Sequence, residues 1–160
     1  MKRRLCVFLL LALITVFSCA KSYRNDLAVS ELTESLREEL NHPIEYVRAK
    51  SDYLDQYFKM PDSVREFDLY YAADGNNLNE FGIFRVSEEE ADDLFAKIEA
   101  YLSRNLEENQ AFYDSYIPQE TPKLRDAEVR RFGSYVAYAI LDSQGRQSLF
   151  AAIEKKLCEK

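Results

Sequence analysis

Glu80 heads an apolar run, Glu80-Phe81-Gly82-Ile83-Phe84-Arg85-Val86, and a carboxylate so placed can hold a cationic ligand group or a metal ion. Its simpler role is structural: a cross-strand ion pair with a basic residue such as Arg130 or Arg131, or the capping of a nearby turn. Tyrosine is the other residue type with chemistry to offer, because each ring joins an apolar face to a polar tip. The chain has eleven tyrosines and no tryptophan, so any aromatic platform is built from tyrosine and phenylalanine. Tyr46, Tyr53 and Tyr57 fall along one face of an expected helix with Lys50 between them, and Phe112, Tyr113 and Tyr116 precede Pro118. Either group suits a surface that binds a sugar, a peptide or a partner protein. Either equally suits the border of an ordinary core.

A nucleophile or metal centre of the common kinds is not written in the chain. Ser134 follows Gly133 without the residues of a nucleophile elbow, and the single histidine, His42, sits at an expected helix start. Asp74 to Glu80 (DGNNLNE) superficially suggests a calcium loop, but its glycine is second and its sixth residue is Asn79, where the sharp turn needs glycine. Glu88-Glu89-Glu90 with Asp92 and Asp93 suits a solvated helix start, where negative charge meets the helix dipole. The 28 acidic residues leave room for a hydrolase using two carboxylates, although one domain of this size offers little cleft. No catalytic residue, cofactor or metal site is assigned.

Of Cys6, Cys19 and Cys158, the second lies where chemistry is expected. Lys2-Arg3-Arg4 precede a thirteen-residue apolar run, Leu5 to Phe17. That is the length of a signal-peptide core and short of the ~20 residues that span a bilayer as a helix. The run ends in Val16-Phe17-Ser18-Cys19, which resembles the lipobox of bacterial lipoproteins, with Phe17 a departure from the small or aliphatic residue usual there. The resemblance implies that residues 1–18 are removed, that Cys19 carries lipid, and that the protein is anchored to the extracytoplasmic face of the cell membrane. The alternative is an ordinary secretory signal cut near Ser18 or Ala20. With Cys6 discarded and Cys19 lipidated, Cys158 has no partner, which excludes a disulfide framework and a multi-cysteine zinc site. Removing Lys2, Arg3 and Arg4 from 21 basic residues leaves 18 against 28 acidic ones, a net charge of −10. Such a surface repels nucleic acid and offers no polybasic patch to lipid headgroups.

Residues 19–26 read as a polar tether and 27–160 as a single domain, expected to be monomeric. Val29, Leu32, Leu36 and Leu40 have helical spacing, and Asn41 and Pro43 open a second expected helix with Ile44, Val47, Leu54 and Phe58 on one side, stopped by Pro61. Phe67, Leu69, Tyr71 and Ala73 alternate as a strand, Asp74 to Asn77 is turn chemistry, and Glu80 to Val86, apolar on both faces, is a central strand. Ser87 and Glu90 form a capping box before a helix whose stripe is Ala91, Leu94, Phe95, Ile98, Tyr101 and Leu102. Tyr113 to Pro122 is expected to be a loop. Ala127 to Phe132 and Tyr135 to Leu141 form a second hairpin at Gly133-Ser134, and Leu149, Phe150, Ile153 and Leu157 a last helix. The order is ααββαββα: an α+β fold with an antiparallel sheet of about four strands in two hairpins, covered by helices.

Asn79 to Arg85 with the capped helix after it, Tyr113 to Glu120, and Gly133-Ser134-Tyr135-Val136 together resemble an uncharacterised family of small lipoproteins of low-GC Gram-positive bacteria. That family is known only as a domain of unknown function. The resemblance runs from about Glu45 to the C-terminus. Its members show an E-I-x-I-F-K strand, in which Phe81 here replaces the aliphatic residue and Arg85 the lysine. It implies location and fold boundaries but no activity. The expectation is therefore a membrane-tethered, non-catalytic interaction module whose partner is an envelope protein or a small ligand. The alternatives are a small cell-envelope hydrolase using carboxylates, or a lipoprotein that captures a ligand for a transporter.

Overall fold

The alternating strand Glu80–Arg85 (β3) sends Phe81 and Ile83 to one side of a sheet and Gly82 and Phe84 to the other, so it needs cover on both faces. A computed structural model describes residues 21–40, 44–58 and 64–159, the side chains of 37–40 and 55–57 excepted, and gives it that cover. The earlier elements are α1 (Val29–Leu40), β1 (Tyr46–Arg48), α2 (Ser51–Tyr57) and β2 (Glu66–Ala72). After β3 and a 3-10 turn at Glu88–Glu90 come α3 (Ala91–Tyr116), α4 (Thr121–Arg125), β4 (Glu128–Phe132), β5 (Tyr135–Ile140) and α5 (Ser143–Cys158). All strand pairs are antiparallel, in the order β1-β2-β3-β5-β4, with β3 at the centre. The fold is α+β as expected, with one strand more than the two hairpins supply.

On one face α1 and α5 bury Val29, Leu32, Leu36, Leu149, Phe150, Ile153 and Leu157 against Phe81, Ile83 and Ala137. On the other, α2, α3 and α4 bury Leu54, Phe58, Leu94, Ile98, Tyr101 and Leu124 against Leu69, Phe84, Val136 and Tyr138. The stripes of α3 and α5 thus face the sheet as their spacing predicts, except that Phe95 is only half-buried. No helix among the described residues is long and apolar enough to cross a membrane.

Four local expectations are corrected. Tyr46–Arg48 is a strand rather than part of a helix: it pairs with Tyr70–Ala72, and the pairing is extended by Ala49 N–H to the Leu69 carbonyl (2.8 Å) and Ala73 N–H to that of Glu45 (2.8 Å). Ile44 and Val47 are too few to define a period, and the open edge of β2 offers backbone partners that outweigh it. Second, Tyr113–Tyr116 is not loop. Helix α3 continues through it, because the restriction imposed by Pro118 acts on Ile117 and not earlier. Third, Thr121–Arg125 is a short helix with Pro122 in its first turn, where a missing N–H costs nothing. Fourth, Ser87 and Glu90 bond each other, Oγ to Oε2 at 2.5 Å, and the Ser87 side chain makes no capping bond to a backbone N–H. The expected start at Asn41 and Pro43, the stop at Pro61, His42 and Cys19 lie outside the described residues.

Residues 21–27, read from the sequence as largely tether, run along the domain. Arg24 N–H donates to the Leu157 carbonyl (3.0 Å), and the Tyr23 ring meets Phe132 edge-on at 5.6 Å between centroids. Tyr135 Oη donates to the Leu27 carbonyl at 2.7 Å, and Arg85 donates to the Asn25 carbonyl at 3.2 Å and to the Glu66 carboxylate. Glu66 in turn accepts the Val29 N–H at 3.0 Å, satisfying one of the free donors at the start of α1. Arg85→Ala is therefore expected to cost about 1.5–3 kcal/mol, the range for a hydrogen bond to a charged group. Urea unfolding with limited proteolysis at Lys21 and Arg24 measures this. A variant with unchanged midpoint and cleavage rate would show that Arg85 does not clasp the segment.

Candidate functional site

Glu80, the first residue of β3, lies between Tyr71 on β2 and Ile140 on β5 and is only 7% exposed. Strand alternation aims its carboxylate toward the layer formed by α2, α3 and α4. There Oε1 accepts hydrogen bonds from Tyr138 Oη (2.5 Å) and Tyr101 Oη (3.0 Å), and Oε2 accepts one from Tyr53 Oη (3.0 Å). One carboxylate thereby ties together β3, β5, α3 and α2. Burial pushes its pKa up, against the three hydroxyl donors, which favour the ionised form. Burial, then the neighbouring Glu80 charge, push the phenols of Tyr101 and Tyr138 up as well, so both stay protonated donors.

Gly82 makes this arrangement possible. It is the cross-strand partner of Tyr138, whose ring crosses it to reach Glu80, and a Cβ there would lie 2.6 Å from Tyr138 Cε1 and 2.9 Å from Phe84 Cε2. Glycine in a strand marks a close approach, and here the approaching group is the tyrosine ring itself. Phe58, at the end of α2, closes over Tyr101 and Tyr138 at 4.1 and 5.7 Å.

Glu80 forms part of the lining of an open pocket of about 540 Å³, within the size range of small-molecule sites. Tyr53 and Tyr71, stacked at 5.2 Å, line it from α2 and β2, and Tyr101, Asn105, Glu108, Asn109 and Tyr113 line it from one face of α3. The loop wall, Asn77–Asn79, is pinned: Glu120 accepts the Leu78 N–H (3.0 Å) and Lys123 Nζ (2.7 Å), and Lys123 also donates to Asn79 Oδ1 (2.7 Å). Asn79 Nδ2 donates to Tyr46 Oη at 3.0 Å.

The structure brings some of the expected site residues together and separates others. Glu80, Tyr53 and Tyr113 share the pocket. Tyr46 is on the edge strand β1 and packs against Phe81 on the opposite face of the sheet, so it does not share a face with Tyr53. The side chain of Tyr57 lies outside the described set. Tyr116 is 72% exposed and packs at 4.6 Å against the 56% exposed Phe112, an aromatic patch near the end of α3 beside Tyr113. The expected pairing of Glu80 with Arg130 or Arg131 is corrected. Both arginines are on β4, which borders β5 and not β3, and they pair with Glu128 and Asp92. Asp68, a buried carboxylate on the other face, does have an ion-pair partner, Arg48, and accepts from Thr33 Oγ1 at 2.9 Å. No group of three or more His, Cys, Asp or Glu side chains among the described residues could hold a metal ion.

Tyr101, Tyr138, Gly82, Asn105 and Asn109 were not singled out by the sequence as site residues. The available signal was a glycine inside a strand, and the change of the α3 stripe from apolar to Asn and Glu after Leu102. Comparison with protein families matches residues 44–141, well over half of the chain, to one family, described as Domain of unknown function (DUF4358). Neither the curated proteins nor the solved structures contain a match.

Proposed function

The chain belongs to the DUF4358 family, a domain of unknown function, and we propose from that premise that it is an extracytoplasmic, lipid-anchored binding module without catalytic activity. The observation that carries the binding role is the Glu80 pocket: an open cleft lined in part by a buried carboxylate held by three tyrosine hydroxyls. A carboxylate so saturated with donors is suited to organising a site, since a proton donor or nucleophile needs freer oxygens. The anchoring role rests on the basic start, the thirteen-residue apolar run and the Val16-Phe17-Ser18-Cys19 ending. Only Ala20 separates Cys19 from Lys21, whose ammonium meets Glu154 at 2.5 Å, so the membrane-facing side would be the end carrying Tyr23, Phe132 and the C-terminal part of α5.

Cys19→Ala is expected to abolish incorporation of radioactive palmitate in cells and to leave the precursor uncut or the protein released. Labelling of that variant at the wild-type level would remove the anchoring role. Binding of a small ligand is the form that an open pocket of this size favours, and capture of a ligand for a transporter is one use of such binding by a lipid-anchored protein. The carboxylate-hydrolase reading has one observation in its favour, the presence of Glu108 in the same pocket, and it requires turnover of whatever ligand binds there.

A further inference from the structure

We infer that the Glu80 pocket takes a neutral, hydroxyl-rich ring, a saccharide unit. This rests on the reading of that pocket as the binding site and names its ligand class. The argument comes from the unspent hydrogen-bonding groups. Asn109 Nδ2 donates to Asn105 Oδ1 (2.9 Å) and to the Asn105 carbonyl (3.1 Å), which leaves the Asn105 amide N–H groups and the Asn109 carbonyl oxygen for another partner. Asn77 Oδ1 accepts the Asn79 N–H (2.8 Å), which leaves the Asn77 amide N–H groups. The pocket therefore offers amide donors and acceptors side by side, beside two carboxylates, Glu80 and Glu108, and one guanidinium, Arg104.

An anion would face two carboxylates against the guanidinium of Arg104, a lining that is negative on balance. A cation would use only the acceptors and leave the amide N–H groups unmatched, at the cost of their desolvation. A hydroxyl both donates and accepts, so a ring bearing several of them satisfies the mixed set, while its C–H face meets the apolar part of the aromatic lining.

The test uses the full lipidated chain, solubilised in a polyoxyethylene detergent, which has no sugar headgroup. Glucose, N-acetylglucosamine, maltose and cellobiose are titrated by saturation-transfer NMR and calorimetry, with choline as cation and succinate as anion. At least one saccharide is expected to give a saturable signal, unchanged chemically over hours, while choline and succinate give none. The Asn105→Ala/Asn109→Ala double variant, with melting unchanged, should bind about tenfold more weakly, the loss expected for one or two hydrogen bonds. Should that variant melt lower, Asn77→Ala in the hairpin loop provides the same readout from the opposite wall. Saccharide binding that survives a stable variant undiminished overturns the inference. Binding of choline or succinate instead overturns the ligand class but leaves the pocket a binding site, whereas silence of all six probes removes both. Hydrolysis of a bound saccharide would keep the ligand class and overturn the non-catalytic reading.

Discussion

Glu80→Ala is expected to destabilise the domain by about 3–5 kcal/mol, a fall in melting temperature of roughly 10–15 °C for a domain of this size. The fully buried Tyr138 and the 5% exposed Tyr101 each lose their acceptor, and an unsatisfied buried hydroxyl costs about 1–3 kcal/mol. The void left by the side chain adds to this. Glu80→Gln keeps one carbonyl oxygen and the volume, so it should cost far less in acid and behave differently with pH. The folded-state pKa of Glu80 is raised above its ordinary value of 4.5. A carboxyl raised on folding contributes stability that is fully present below its unfolded pKa and is lost as pH rises through the folded one. The wild type should therefore lose stability relative to Glu80→Gln as pH increases from about 4.5, until Glu80 is fully ionised. Thermal melts of both proteins across this range measure the difference. A constant difference, or one that changes in favour of the wild type with rising pH, would show that burial does not dominate the Glu80 environment.

Gly82→Ala is expected to cost about 2–4 kcal/mol although it adds a single methyl group. Its Cβ would stand 2.6 Å from Tyr138 Cε1, far inside van der Waals contact. Tyr138 cannot step aside freely, because Phe84, Phe58 and Tyr101 enclose its ring and its hydroxyl is held by Glu80 at 2.5 Å. Displacing the ring adds the loss of that bond to the overpacking itself. Gly75→Ala is the control: nothing lies within 4 Å of its added Cβ, and it should stay within about 0.5 kcal/mol of wild type. Since Gly82→Ala and Glu80→Gln both act through Tyr138, their effects should fall short of additivity in a double-mutant cycle measured by urea unfolding. Strict additivity, or equal losses at the two glycines, would mean that Tyr138 does not link them.

Much of the architecture is legible in the amino-acid sequence. The two-residue alternation of Phe67 to Ala73, the turn residues Asp74 to Asn77 and the doubly apolar β3 specify a hairpin with a central second strand, and Gly133, at φ 61°, forms the turn of the other. The stripes of α3 and α5 specify which helix faces are buried. These are local patterns, and the hydrophobic effect acts on them wherever the chain folds. What had no local pattern was not legible. The three residues of β1 form a strand only because β2 has an open edge, whereas the end of α3 at Tyr116 is set locally by Pro118.

The site belongs to that second category. The sequence marked Glu80 as a carboxylate in an apolar strand and Tyr53 and Tyr113 as aromatic candidates. It paired Glu80 with arginines two strands away and grouped Tyr46 with Tyr53 across what is in fact the thickness of the sheet. The hydroxyls that hold Glu80 come from 21, 27 and 58 residues along the chain. Composition and spacing determined that apolar faces would be buried and that a carboxylate among them would need donors. Only the packing of α2, α3 and β5 against β3 decided which donors reach it, because a hydrogen bond requires atoms to meet within about 3 Å and local periodicity carries no information about distant neighbours.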